Sequence, residues 1–255
     1  MPEPKYNRED HLKSKAALDK STSINEQDLT EHISELRNRI LIAIISFIIV
    51  TITSFYYSSD IIKFLEQAAP AGSSFFQLKP GELFTSSLKV SVFFGVIMSM
   101  PIWLGQLEGF IKPGLTPNEL GIIKPILRFS PLLFWSGVAF AYFLVLPPLL
   151  SFLLGFGQGV IETRYGLEHF INLELSILSV CGITFQLPII LIILSYFHII
   201  HSSQLLSAWR YVILGAFTIS AIITPTPDPF TMSILAIALL VLYFATIAVL
   251  KITKH

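Results

Sequence analysis

The chain alternates between long reaches without charge and short clusters of polar residues, and this spacing sets the predicted elements. An uncharged stretch of about 18 residues crosses a hydrocarbon core of ~30 Å at ~1.5 Å per residue. Residues 40–57 form the first such stretch, and 90–107 lie within the second. Residues 129–161 are uncharged, but Pro147-Pro148 divides them into one span and its exit. Residues 175–209 hold one span to about Phe197 and then an interfacial connection, because His198, His201, Ser202, Ser203 and Gln204 are poor hydrocarbon residues. Residues 211–223 and 230–250 complete the set, joined by a turn whose Pro225, Pro227 and Pro229 cannot continue a helix. The predicted fold is an all-α polytopic membrane protein with six transmembrane helices, near 40–57, 88–110, 129–153, 173–197, 210–223 and 230–250.

Residues 1–22 are polar and without periodicity, which reads as a disordered tail, and 23–255 read as one membrane domain. Ser23 with Glu26, or Asp28 with Glu31, makes a capping box, and Leu29, Ile33, Leu36 and Ile40 follow at helical spacing. An amphipathic helix therefore leads into the first span, carrying Glu31, Glu35, Arg37 and Arg39 on its polar face, with Glu35 and Arg39 placed for an i,i+4 pair. In the loop 58–87, Ile61, Ile62 and Leu65 predict a short surface helix, residues 73–78 are extended, and Lys79-Pro80-Gly81 turns the chain into the second span. Pro101, Pro131, Pro147 and Pro188 each remove a helix donor and bend their spans, so the bundle is expected to enclose a concave face. The fifth span, residues 211–223, covers only about 20 Å and is expected to thin the bilayer locally.

Composition supports the membrane reading: 53% of residues are hydrophobic, 13% are charged, and the mean hydropathy is +0.69. Seventeen basic and seventeen acidic residues cancel, so no basic surface for nucleic acid is implied. A single cysteine, Cys181, excludes an intrachain disulfide and any Cys-based metal cluster. With Lys89 set aside as intramembrane, 13 Lys and Arg lie in the N-terminal region, the second and fourth loops and the C-terminus, against 3 in the other loops. The positive-inside rule then puts both termini in the cytoplasm or stroma. The first 39 residues lack an apolar core, so no signal peptide is expected, and their eight acids argue against a transit peptide.

The chain has no phosphate-binding Gly-x-x-x-x-Gly-Lys-Ser/Thr, no His-Glu-x-x-His and no Gly-x-Ser-x-Gly. Gly155, Gly157 and Gly159 have the wrong spacing for a nucleotide loop, and His198 and His201 read as interfacial residues rather than metal ligands. No enzyme, cofactor or metal is therefore expected. Polar residues at membrane depth remain: Lys89, Glu108, Glu174 and Gln186. The first three either line the bundle interior or sit at an interface; Gln186, two residues before Pro188, needs a hydrogen-bond partner that lipid cannot supply. On charge alone, Glu35 and Glu119 read as solvated groups on the cytoplasmic side.

Several motifs stand in a definite order. His32-Ile33-Ser34-Glu35-Leu36-Arg37-Asn38-Arg39 precedes the first span, Pro80-Gly81-Glu82-Leu83-Phe84 the second, and Pro101, Gln106 and Phe110 lie along it. Pro113-Gly114-Leu115-Thr116 leads to Glu119, and Gly137, Phe140 and Tyr142 to Pro147. Phe185-Gln186-Leu187-Pro188, Arg210-Tyr211 and Thr224-Pro225-Thr226-Pro227-Asp228 follow. Over about residues 28–250 this series resembles the TatC family, the multispanning core of the twin-arginine protein translocase. The resemblance implies six spans with both termini inside, binding of the twin-arginine signal peptides of folded precursors, assembly with TatA- and TatB-type single-span subunits, self-association, and transport driven by the proton-motive force.

It places Glu35, Arg37 and Glu119 in the signal-recognition region, with Glu108, where relatives often carry an aromatic, as an added carboxylate. It places Gln186, Asp228 and Met232 on a partner-docking face, with Met232 standing where a polar residue is frequent, and it gives Pro80, Phe84, Pro101, Pro147, Pro188, Pro225 and Pro227 structural roles. The Gln form at 186 with Pro-Gly-Leu-Thr resembles cyanobacterial and plastid members, which implies a thylakoid membrane or a bacterial inner membrane. A secondary transporter of a small solute, built from intramembrane charges and broken helices, is the competing reading from another class, although the spans show no inverted repeat.

Overall fold

The computed structural model describes residues 33–70, 73, 75–112, 117–155, 165–197, 199–200, 202–223 and 229–252. The expected tail 1–22, the capping boxes, the glycines 157 and 159, His198, His201 and the turn carrying Pro225, Pro227 and Asp228 lie outside the described residues. Helix α1 (Ile33–Tyr56) runs without a break from the amphipathic segment into the first span. Helix α2 (Ser58–Glu66) lies on the outer side, and α3 (Glu82–Ile111) is the second span. The third span is α4 (Pro117–Phe140), a π-helical turn (Ala141–Val145) and α5 (Leu146–Gly155) in series. The fourth is α6 (Leu167–Thr184) followed by α7 (Leu187–Tyr196); α8 (Ser202–Ser207) is the interfacial connection, and α9 (Trp209–Ile223) and α10 (Pro229–Ile252) close the bundle. Five of these helical reaches are long and apolar enough to cross a membrane, and α9 is the sixth, shorter apolar helix. At 15 residues α9 spans only about 22 Å, so the short fifth span stands.

The third span runs through Pro147-Pro148 to Gly155, close to its expected end near 153. Neither proline can donate to the carbonyls of Phe143 and Leu144 four residues back, and the helix meets this deficit by widening just before them, where the Leu146 N–H reaches the Ala141 carbonyl. The fourth span does break, at Phe185-Gln186, with Pro188 in the first turn of α7, where its missing donor costs little.

The main core gathers Leu65 of α2, Val90 of α3, Leu146, Leu149 and Leu150 of α5, and Ile171 and Leu178 of α6, all buried. Spans three and four meet closely because each offers the other a glycine. A Cβ on Gly137 would lie 2.7 Å from the Phe185 ring, and one on Gly182 would lie 2.7 Å from the Phe134 ring. Helix α1 leans on α3 through Trp103, which donates to the Ala43 carbonyl at 3.0 Å and meets Phe47 edge-on, and through Phe84 against Phe55. Its other apolar residues, Ile44, Ile48 and Ile52 among them, face outward and suit lipid.

On the outer side the extended segment is paired, a contact that no periodicity along the chain foreshadows. Strand β1 (Phe75–Phe76) lies parallel to β2 (Tyr165–Gly166), just ahead of α6. The Glu82 carboxylate joins the same place: it accepts the Leu78 and Lys79 N–H groups at 2.6 and 3.1 Å and the Glu168 N–H at 2.8 Å, so one side chain fixes the turn into α3 and caps α6. Lys89 pairs with Glu168 at 2.6 Å. Glu174 is not interfacial. It lies two turns inside α6 with no exposed surface, and neither carboxyl oxygen has a hydrogen-bond partner.

Candidate functional site

At the cytoplasmic end, α1, α3 and α4 meet in a junction of alternating charge. Glu35 and Arg39, one turn apart on α1, pair as their spacing predicts: Nε and Nη2 of Arg39 both donate to Oε1 of Glu35, at 3.1 and 2.5 Å. The same guanidinium crosses to α3, where Nη1 donates to the Gln106 carbonyl at 3.5 Å. Gly109 makes this possible, since a Cβ there would come within 1.9 Å of Arg39 Nη1. A cation seated at the last turns of α3 also meets the negative end of that helix dipole.

One residue before Gly109, Glu108 faces the third span. Lys124 Nζ stands 3.8 Å and Arg128 Nε 3.7 Å from its carboxylate oxygens, and only 18% of the Glu108 side chain is exposed. Lys124 and Arg128 are four residues apart on α4 and so share one face. Glu108 is thus a paired group within the bundle rather than a free interfacial charge. Arg37 is exposed on α1. Glu119 belongs to the first turn of α4 by its backbone, and its side chain lies outside the described residues. Sequence reasoning missed Lys124 and Arg128 as members of this junction; their i,i+4 spacing was visible, but nothing in the sequence identified Glu108 as their partner.

The second group of polar residues lies at membrane depth. Gln186 sits in the break between α6 and α7, and its carboxamide closes a ring with Ser130 of α4: the Ser130 hydroxyl donates to Oε1, and Nε2 donates to the Ser130 carbonyl at 3.1 Å. The ring uses one amide proton and one lone pair, leaving one of each. Pro188 separates two apolar grooves, one along α7, α9 and α10 past Leu187, Gly215, Ala216 and Tyr243, and one of about 570 Å3 past Phe129, Leu132, Ile192 and Val249. Met232 is half-buried in the first turn of α10, and Asp228 lies outside the described residues. Pro101 is carried inside α3 without ending it, and Pro80 lies in the turn before Gly81, whose φ of +82° starts that helix. Among the described residues no three His, Cys, Asp or Glu side chains converge as a metal site would require.

Six apolar helical spans, three of them carrying internal prolines, a shortened fifth helix and a charged cytoplasmic junction define a polytopic integral membrane protein. The family model for the Sec-independent protein translocase protein (TatC) matches residues 31–237, and the chain belongs to the TatC family. It is 36% identical to the Sec-independent protein translocase protein TatC of Synechocystis sp. over 92% of this chain and 92% of that one. It is 43% identical to a tatC-like protein, ycf43, of Gracilaria tenuistipitata var. liui over 89% of this chain and 95% of that one, and 35% identical to the chloroplastic TATC of Arabidopsis thaliana over 89% and 67%. A crystal structure of the twin-arginine translocase receptor TatC in DDM superposes with a TM-score of 0.71 at 36% identity, covering 86% of this chain and 98% of that one. The expected likeness to cyanobacterial and plastid members is thereby met.

Proposed function

We propose that this chain is the multispanning core of a twin-arginine translocase in a thylakoid or related membrane, receiving twin-arginine signal peptides on its cytoplasmic or stromal face. The observation that carries the reading is the α1/α3/α4 junction. There Glu35 offers a carboxylate whose Oε1 is taken by Arg39, Arg39 in turn lies on Gly109, next to Glu108 in α3, and Glu119 stands on the first turn of α4. Carboxylates accept a guanidinium in fork geometry, which arginine supplies and lysine does not. Arg37, exposed on the same helix, is available to acidic or backbone acceptors of the bound peptide.

TatA- and TatB-type helices are proposed to dock on the face formed by the short α9, the bent fourth span and α10. The remaining amide proton and lone pair of Gln186, with Asp228 and Met232, serve that contact. Folded precursors then cross at the expense of the proton-motive force, and copies of the chain self-associate. The solute-carrier reading is not favoured, since the relatives in this family are protein translocase proteins. Photo-crosslinking of a twin-arginine precursor to the purified chain tests the assignment. Adducts to α1 or to the α3 end support it, and their absence under conditions that yield adducts with a known receptor would reject it.

A further inference from the structure

Glu108 differs from Glu35 in how its charge is met. Neither of its cations reaches hydrogen-bond distance: Lys124 stands 3.8 Å away and Arg128, nearest by its Nε, 3.7 Å. The carboxylate is largely enclosed, yet the cations that neutralise it are 42% and 67% exposed, so moving them out costs little burial. A guanidinium arriving from outside the chain could take both carboxylate oxygens at once, a geometry that neither resident cation occupies.

The geometry points to an ion-exchange site: Glu108 is a guanidinium-binding residue for the signal peptide, and Lys124 and Arg128 are its resident counter-ions, displaced into solvent when the peptide arrives. The proposal rests on the reading of the α1/α3/α4 junction as the signal-recognition surface. It adds that the surface is close to neutral at rest and that the residents set a threshold. A point charge gains nothing over Lys124, whereas a fork that forms two charge-assisted bonds does. Arg39 shows the stronger form of the same contact nearby, with two donors within 3.1 Å of Glu35 and its guanidinium seated on Gly109. The exchange therefore takes place at Glu108, where the pairing is loose, and Arg39 stays.

The test is a titration of a labelled twin-arginine signal peptide, and of its twin-lysine counterpart, against the full chain in nanodiscs of zwitterionic lipid. Arg128→Gln is expected to bind the twin-arginine peptide about two- to five-fold more tightly, because an exposed competitor has gone. Glu108→Gln is expected to bind about ten-fold more weakly. In the Glu108→Gln background, adding Arg128→Gln should no longer tighten binding, the non-additivity of a shared site. Unchanged or weaker binding in Arg128→Gln, while the wild type still separates arginine from lysine, overturns the exchange and leaves the recognition surface standing. Equal binding of both peptides by the wild type overturns the recognition surface, and the exchange with it. A tightening confined to discs containing anionic lipid would assign the two cations to lipid headgroups and overturn the proposal.

Discussion

Arg39 joins two helices with one side chain, and the absence of a side chain at Gly109 allows it. Gly109→Val should push the guanidinium off the α3 end and leave α1 held mainly by Trp103 and the Phe55–Phe84 contact. Twin-arginine precursor affinity is then expected to fall several-fold, read by peptide titration, with the spectrum of the folded chain retained. Glu119→Lys should be harsher, since a charge-assisted bond worth ~1.5–3 kcal/mol is exchanged for repulsion, and Glu119→Gln milder. Unchanged affinity in Glu119→Lys at low salt would remove Glu119 from recognition. At this scale the sequence showed what is local. The Glu35–Arg39 pair follows from a four-residue spacing, whereas the partners of Arg39 on α3 and of Glu108 on α4 depend on where helices cross. The same holds for Gln186. Its need for a partner was evident from depth in the membrane, but Ser130, 56 residues earlier, carries no mark in the sequence.

The elements were legible because a bilayer demands them. A run of about 20 apolar residues has few fates, so every span was placed, and even the shortness of α9 could be counted. The departures have local causes. The third span passes through Pro147-Pro148 by adopting a π-helical turn, a local widening that no periodicity in the sequence marks. The parallel pairing of Phe75–Phe76 with Tyr165–Gly166 is too short for any periodicity to reveal, and Glu82 as a cap shared by two helices depends on that pairing. The α4/α6 crossing is the element-scale feature most open to attack. Gly182→Leu places a branched side chain where the Phe134 ring already lies, and overpacking of this kind costs ~1–3 kcal/mol. Thermal unfolding in detergent should show the loss, while Gly121→Ala, at an exposed position with open space around it, should not. Equal stability of the two variants would contradict the close crossing.

At the scale of the whole molecule, two faces divide the work. On the reading proposed above, the junction of α1, α3 and α4 receives signals, and the face of α7, α9 and α10 accepts partner helices. Gln186→Leu should therefore weaken co-purification of TatA- or TatB-type subunits several-fold, consistent with intramembrane hydrogen bonds of ~0.6–1.7 kcal/mol, and leave signal binding intact. If association is unchanged while stability drops, the Ser130 ring is the whole role of Gln186. Orientation has its own check: cysteines at Ser21 and Ser73 should react with an impermeant reagent from opposite sides of sealed vesicles, as the 13-to-3 division of Lys and Arg requires.

The central claim is that the α1/α3/α4 junction reads arginine. Its most direct test places a photoreactive residue at Asn38, exposed on α1 one residue before Arg39, and irradiates the full chain with a folded precursor carrying either a twin-arginine or a twin-lysine signal. The account expects an adduct through the signal peptide with the arginine precursor and its loss with the lysine one. Equal adducts from both precursors, or adducts only when the probe is moved to Ser73 on the outer side, would contradict it.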